Sequence, residues 1–136
     1  MRTRPGGVES LSRQQRGEVH VAVAELDGVP VGRAALDFRR FAGERAAYLW
    51  AAHVEPARRS QGVGSAVLQH LERVAAERGC LSVRLAVGKD NPAALRLYRR
   101  LGYEVTGEEV QRWTYEDGER TVAVVEDCWT MEKRVI

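Results

Sequence analysis

Apolar and polar positions change period several times along this 136-residue chain. Val19 to Leu26 is Val-rich and reads as a strand, Asp27-Gly28 as a hairpin turn, and Val29 to Asp37 as the returning strand. Phe38 to Arg45 reads as a loop, and Tyr48 to Val54 as a third strand that Pro56 stops. The period then lengthens: Val63, Val67, Leu71 and Val74 fall on one helical face with Ala66 and Ala75 beside them, while Glu72, Arg73, Glu77 and Arg78 lie mostly outside it. Gly79 suits the C-terminal cap of that helix. Leu81, Val83, Leu85 and Val87 alternate, giving a strand with one strongly apolar face. Asn91-Pro92 opens a second helix, with Asn as N-cap and Pro at the first helical position. Leu95, Tyr98 and Leu101 share a face of it, and Gly102 ends it. Tyr103 to Tyr115 and Val122 to Met131 read as two long strands joined around Asp117-Gly118. Residues 1–17 are polar and weakly patterned, with room for one short helix.

The predicted order is β-β-β-α-β-α-β-β, a mixed α/β (α+β) fold in a single domain over residues 1–136. The strand, helix and strand from Tyr48 to Val87 form a parallel crossover unit. No repeat or low-complexity linker interrupts the chain.

Composition narrows the class. Apolar residues make up 44% and charged residues 29%, ordinary for a soluble globular domain. No apolar run approaches a membrane span and residues 1–17 lack a signal-peptide stretch, so a cytoplasmic location without membrane partners is expected. Cys80 and Cys128 are far apart, without metal-ligand spacing, and are expected reduced and buried. His20, His53 and His70 are scattered, so no metal site is expected. The formal charge of +2 hides an asymmetry. Residues 56–101 hold nine Lys/Arg against three Asp/Glu, and residues 102–136 hold four against nine. A basic middle suits an anionic ligand and an acidic end a cationic one, although each charge read singly is solvated surface. The Arg-rich middle alone does not make a nucleic-acid binder, and none is expected as a partner.

The run Arg58-Arg59-Ser60-Gln61-Gly62-Val63-Gly64-Ser65 carries the most chemistry. It follows a strand and opens a helix, so backbone N–H groups and the positive end of the helix dipole converge on one point. That point suits a phosphate, and glycine lets the backbone approach closely. A short Gly-x-Gly before a helix is by itself equally a tight turn.

Two motifs in order make the pattern specific. Val54-x-Pro56-x-x-Arg59-x-x-Gly62-x-Gly64 is followed by Asn91-Pro92-Ala93-Ala94-Leu95-Arg96-Leu97-Tyr98-x-x-Leu101-Gly102-Tyr103. Together they resemble the GCN5-related N-acetyltransferase (GNAT) superfamily, over roughly residues 18–134. The resemblance implies a mostly antiparallel sheet with a central parallel crossover, and acetyl transfer from acetyl-CoA to an amine. It implies that Arg59, Ser60, Gln61, Gly62, Val63, Gly64 and Ser65 bind the CoA pyrophosphate. Ala52, His53 and Val54 would pair their backbone with the pantetheine arm like an added strand. A backbone N–H near His53 or Val54 would stabilise the developing oxyanion, a contribution of about 3 kcal/mol. Asn91 and Ala94 would contact the cofactor, with Asn91 capping its helix, touching the pantetheine arm, or both. Tyr98 would serve as general acid toward the CoA thiolate or pack as a core aromatic. Phenols titrate near ~10 and thiols near ~8.5, so full proton transfer is uphill by about 2 kcal/mol unless the site lowers the tyrosine.

The pattern departs from the family in three places. Tyr48 and Trp50 stand where some members carry a Glu or His base. By strict strand alternation His53 points away from the Tyr48/Trp50/Ala52/Val54 face, leaving Glu25, Asp37, Glu44, Glu55 or a water chain as alternative bases. Ala86 stands where members acting on ribosomal-protein N-termini carry Glu, which disfavours that acceptor. Only 17 residues precede the first hairpin, so the family's N-terminal helices are expected to be shortened or absent. A homodimer through the long C-terminal strands, with Trp113, Tyr115 and Trp129, would compensate. Glu108, Glu109, Glu116, Asp117, Glu119, Glu126 and Asp127 would favour a cationic amine there. The resulting expectation is an N-acetyltransferase acting by direct attack of a primary amine, of a small molecule or an exposed protein amine, on the thioester. The alternative is a non-catalytic CoA-binding or regulatory module on the same fold.

Overall fold

The computed structural model describes residues 8–11, 18–59 and 61–136. Among the described residues the fold is mixed α/β, with mostly antiparallel strand pairs, one described parallel pair and two α-helices. It divides into two compact units, Met1–Leu85 with Lys133–Ile136, and Ala86–Glu132.

In the first unit β1 (Val8–Leu11), β2 (Val19–Leu26), β3 (Val29–Phe41) and β4 (Ala46–Val54) pair antiparallel in sequence order. The turn at Asp27-Gly28 forms as expected, with φ of 52° and 79° at the two positions. Two expectations are corrected. The short helix allowed within residues 1–17 is, at Val8–Leu11, a strand on the edge of β2; the edge offers backbone partners that a polar one-turn helix could not supply. The loop expected from Phe38 begins later, because β3 runs on to Phe41 before a single 3-10 turn at Ala42–Glu44.

Helix α1 (Val63–Glu77) connects β4 to β5 (Ser82–Gly88), whose first residues run parallel to β4. Its buried stripe is Val63, Val67, Leu68, Leu71 and Ala75. Leu68 replaces the expected Val74, because the stripe drifts around the axis at 3.6 residues per turn. Burying Leu68 or Leu71 stabilises the unit by roughly 1.5–3 kcal/mol each. The stripe packs on β2, β3 and β4. A Cβ added to Gly32 would lie 2.7 Å from Val63 Cγ1, so glycine on β3 is what lets α1 come this close. His20 on β2 and His70 on α1 meet at this interface with ring centroids 6.0 Å apart.

In the second unit the end of β5 leads into α2 (Pro92–Arg100), then β6 (Glu104–Asp117) and β7 (Arg120–Arg134), a long antiparallel hairpin turning at Gly118 with φ of 64°. Tyr98 packs edge-on against Tyr103 at 5.9 Å, and Cys128 and Met131 are fully buried. Among the described residues no helix is long and apolar enough to cross a membrane.

Candidate functional site

β4 departs from ideal alternation at a defined place. Trp50 pairs with Ala35 and His53 with Arg33, so Ala51 and Ala52 together oppose Ala34. Ala51 has a φ of 55°, the left-handed conformation that an extra residue in a bulge adopts. The parallel register with β5 runs from Ala46↔Ser82 to Tyr48↔Arg84, and β4 continues beyond it to Val54. Past Tyr48, the residues Ala52, His53 and Val54 have no parallel partner among the described pairs.

The bulge reverses the expectation for His53. Directly opposed residues of an antiparallel pair share a face. Tyr48, Trp50 and His53 oppose Asp37, Ala35 and Arg33, which alternate along one face of β3. Val54 opposes Gly32 on the other face, against α1. His53 thus lies with Tyr48 and Trp50, contrary to strict alternation, because one extra residue shifts parity for everything after it. Nothing in the residue types of Ala51-Ala52 signals that shift.

After β4, Glu55 N–H donates to the Val31 carbonyl (2.8 Å), and a 3-10 turn at Pro56–Arg58 follows. The Arg59 Nε–H donates to the Val54 carbonyl at 3.2 Å, tying the loop to the strand end. Ser60 lies outside the described residues. Gly62, with φ of 81°, is the N-cap of α1 and brings no side-chain capping bond. A Cβ at Gly62 would meet nothing within 4 Å, so backbone conformation, not space, requires glycine there. The first turn of α1, Val63-Gly64-Ser65, contains no acidic side chain. Its N–H groups and dipole end suit an anion. Gln61 is exposed beside them.

In the second unit Asn91 caps α2: its Oδ1 accepts the Ala94 N–H at 3.2 Å. The Ala94 N–H is therefore spent inside the cap, and the Asn91 Nδ2 amide is the donor left to offer a ligand. Tyr98 is 8% exposed, and burial pushes its phenol above the ordinary value. The phenol stays protonated and is a hydrogen-bond donor rather than a ready proton source.

Neither thiol is poised as a nucleophile. Burial raises Cys80. Cys128 is pushed up to about 12, first by burial and then by its hydrogen bond to Glu126, at 3.3 Å to Oε1. Both are free, and Cys80 is half-buried rather than buried. Several acidic side chains of the hairpin already have partners. Lys89 pairs with Glu108 and, at 3.5 Å, with Asp127, and lies 4.4 Å from the Trp129 ring centroid. Asp117 pairs with Arg120, and Glu116 accepts from the Thr121 hydroxyl. Trp113 and Tyr115 are about half exposed and share the hairpin face of Val124 and Val122, whereas Trp129 lies on the opposite face.

Comparison with known proteins bears on the family and the fold. The sequence profile of the acetyltransferase (GNAT) family matches residues 4–103. A ribosomal-protein-alanine N-acetyltransferase from Brucella melitensis superposes with a TM-score of 0.68 at 29% identity, covering 88% of this chain and 70% of that one. The ribosomal-protein-S18-alanine N-acetyltransferase of Escherichia coli gives 0.67 at 25%, covering 89% and 72%. The PaiA N-acetyltransferase of Thermoplasma acidophilum, in complex with coenzyme A, gives 0.66 at 20%, covering 86% and 61%, a likeness of fold alone.

Proposed function

The chain belongs to the GNAT family of acetyltransferases, and on that premise we propose that it transfers an acetyl group from acetyl-CoA to a primary amine by direct attack. The observation that carries this is the continuity of β4 with α1: a strand that continues past its described parallel pairing, bulges at Ala51, and passes through Arg59 into a helix whose N-cap is a left-handed glycine. These residues fit the cosubstrate. Ala52, His53 and Val54 hold the pantetheine arm through their backbone, and Gln61 to Ser65 cradle the pyrophosphate with Arg59 and Ser60 beside it. Acetyl-CoA supplies the activated acyl carbon. A backbone N–H at His53 or Val54 stabilises the negative charge that develops on its oxygen. Asn91 donates through Nδ2, and Tyr98 donates a hydrogen bond to the leaving thiolate.

Direct attack is supported by the two raised thiols, neither of which is suited to carry an acyl group. The acceptor is an amine of a small molecule or an exposed protein amine. Ala86 still argues against ribosomal N-termini, since it supplies no carboxylate where such enzymes carry one. A cationic acceptor gains little from Glu108 and Asp127, which Lys89 meets, or from Asp117, which Arg120 meets.

Tyr98→Phe separates catalysis from a non-catalytic CoA-binding role. The expected result is a turnover at least about tenfold lower with acetyl-CoA affinity, read by calorimetry, unchanged. Unchanged turnover would remove the thiolate-donor role. Acetyl-CoA binding by a native protein that transfers to no amine would favour the binding module.

A further inference from the structure

We propose that His53 is the general base that deprotonates the incoming amine, with Glu55 orienting its ring; this rests on the acetyltransferase reading above. The Ala51 bulge places His53 on the face of Tyr48 and Trp50, opposite the face covered by α1. Its side chain is 50% exposed, open to solvent and to an arriving acceptor. Trp50 on the same face is 46% exposed and offers an aromatic wall for an amine. His53 Nε2 lies 3.8 Å from Glu55 Oε2, within reach of the carboxylate after a small rotation. Arg33 is directly opposed to His53 on β3, and Glu55 is its described ion-pair partner.

The competing carboxylates are occupied or remote. Asp37 Oδ1 accepts the N–H groups of Arg39 at 2.8 Å and Arg40 at 3.3 Å. Both oxygens of Glu44 are held by the Arg84 guanidinium at 3.2 Å. Glu25 sits at the β2–β3 turn, opposed to Pro30 and separated from β4 by β3. Imidazole is the side chain whose charge changes near neutral pH, which suits a base for an ammonium acceptor.

The step balances as follows. The ammonium gives one proton to the free imidazole nitrogen of His53, which later passes it to solvent. The amine nitrogen then bonds to the acyl carbon, the carbon–sulfur bond breaks, and the second nitrogen proton ends on the departing thiolate. The products are the acetamide, the thiol and one proton in solvent.

The test pairs two amines of different basicity. Butylamine is protonated at neutral pH and needs a base, whereas methoxyamine is already neutral. His53→Gln is expected to slow transfer to butylamine about a hundredfold while changing transfer to methoxyamine by no more than about twofold. Acetyl-CoA affinity by calorimetry should match the native protein. The acidic limb of kcat/KM for butylamine in the native protein should be lost in His53→Gln. Equal loss with both amines, or no loss with either, would overturn the base assignment alone, whereas acetyl-CoA binding without transfer to either amine by the native protein would overturn the acetyltransferase reading and the base with it. Failure of the native protein to bind acetyl-CoA would overturn the parent reading and, with it, the base.

Discussion

The two helices begin in opposite ways. α2 opens on Asn91 and Pro92, and its side-chain cap satisfies the Ala94 N–H from within the chain. α1 opens on Gly62, which has no side chain to cap with and holds a left-handed backbone. α2 is also short, with Tyr98 as its one buried residue, whereas α1 buries five positions. A long, well-packed helix can leave its first turn without a side-chain cap, at a cost of only about a few tenths of a kcal/mol when the N-cap is glycine, because tertiary burial exceeds that cost. A nine-residue helix has less burial to draw on and uses its local cap. The difference supports the proposed anion site at the start of α1.

Breaking that place should have the largest effect. Gly62→Glu puts a carboxylate at the proposed phosphate cradle and a Cβ on a left-handed residue. Acetyl-CoA binding should weaken roughly a hundredfold, about 2.7 kcal/mol. Gly62→Ala is the control, carrying the backbone strain of about 1–2 kcal/mol without the charge. Calorimetric titration of both decides it, and equal affinity for Gly62→Glu and native protein would remove the cradle. At the other helix, Asn91→Ala should cost about 1 kcal/mol of stability by losing the cap, read as a lower urea midpoint. A loss of acetyl-CoA affinity beyond that would show Nδ2 at work on the ligand. An unchanged midpoint would mean the cap contributes nothing.

The smallest effect concerns how α1 is seated. His20 and His70 are both held below the ordinary imidazole value. For His20 the main cause is burial, followed by the positive charges of His70 and Arg78. For His70 it is burial, then Arg73, with Glu77 opposing. The folded state therefore binds fewer protons than the unfolded chain once the pH falls below about 6.5. Stability contributed by the neutral rings is complete above that pH and declines as the pH drops through the window below it. Urea melts between pH 5 and 8 should show this slope, and His70→Gln should flatten it. A slope of the same size in His70→Gln would place the acid sensitivity elsewhere.

Much of the frame was legible from local signals. β2 spans the predicted residues, Asp27-Gly28 turns as its composition demands, and Asn91-Pro92 caps α2 as written. In each case the deciding interaction is with sequence neighbours. Residues Val8–Leu11 resisted because an edge strand is specified by the strand it joins, and four residues carry too little pattern of their own. β3 outran its predicted end because pairing with β2 and β4 outweighs the polar run Arg39-Arg40.

The site divides along the same line. The amino-acid sequence by itself determined the glycine-rich entry to α1, the Asn91 cap, the Tyr98 face of α2 and the family, since these rest on residue type and short-range spacing. Only the tertiary structure decided on which face His53 lies, where β4 leaves β5, and that Gly32 admits Val63. Those depend on register between strands distant in sequence, and one unpaired residue at Ala51 is enough to turn every later side chain of β4 to the other side.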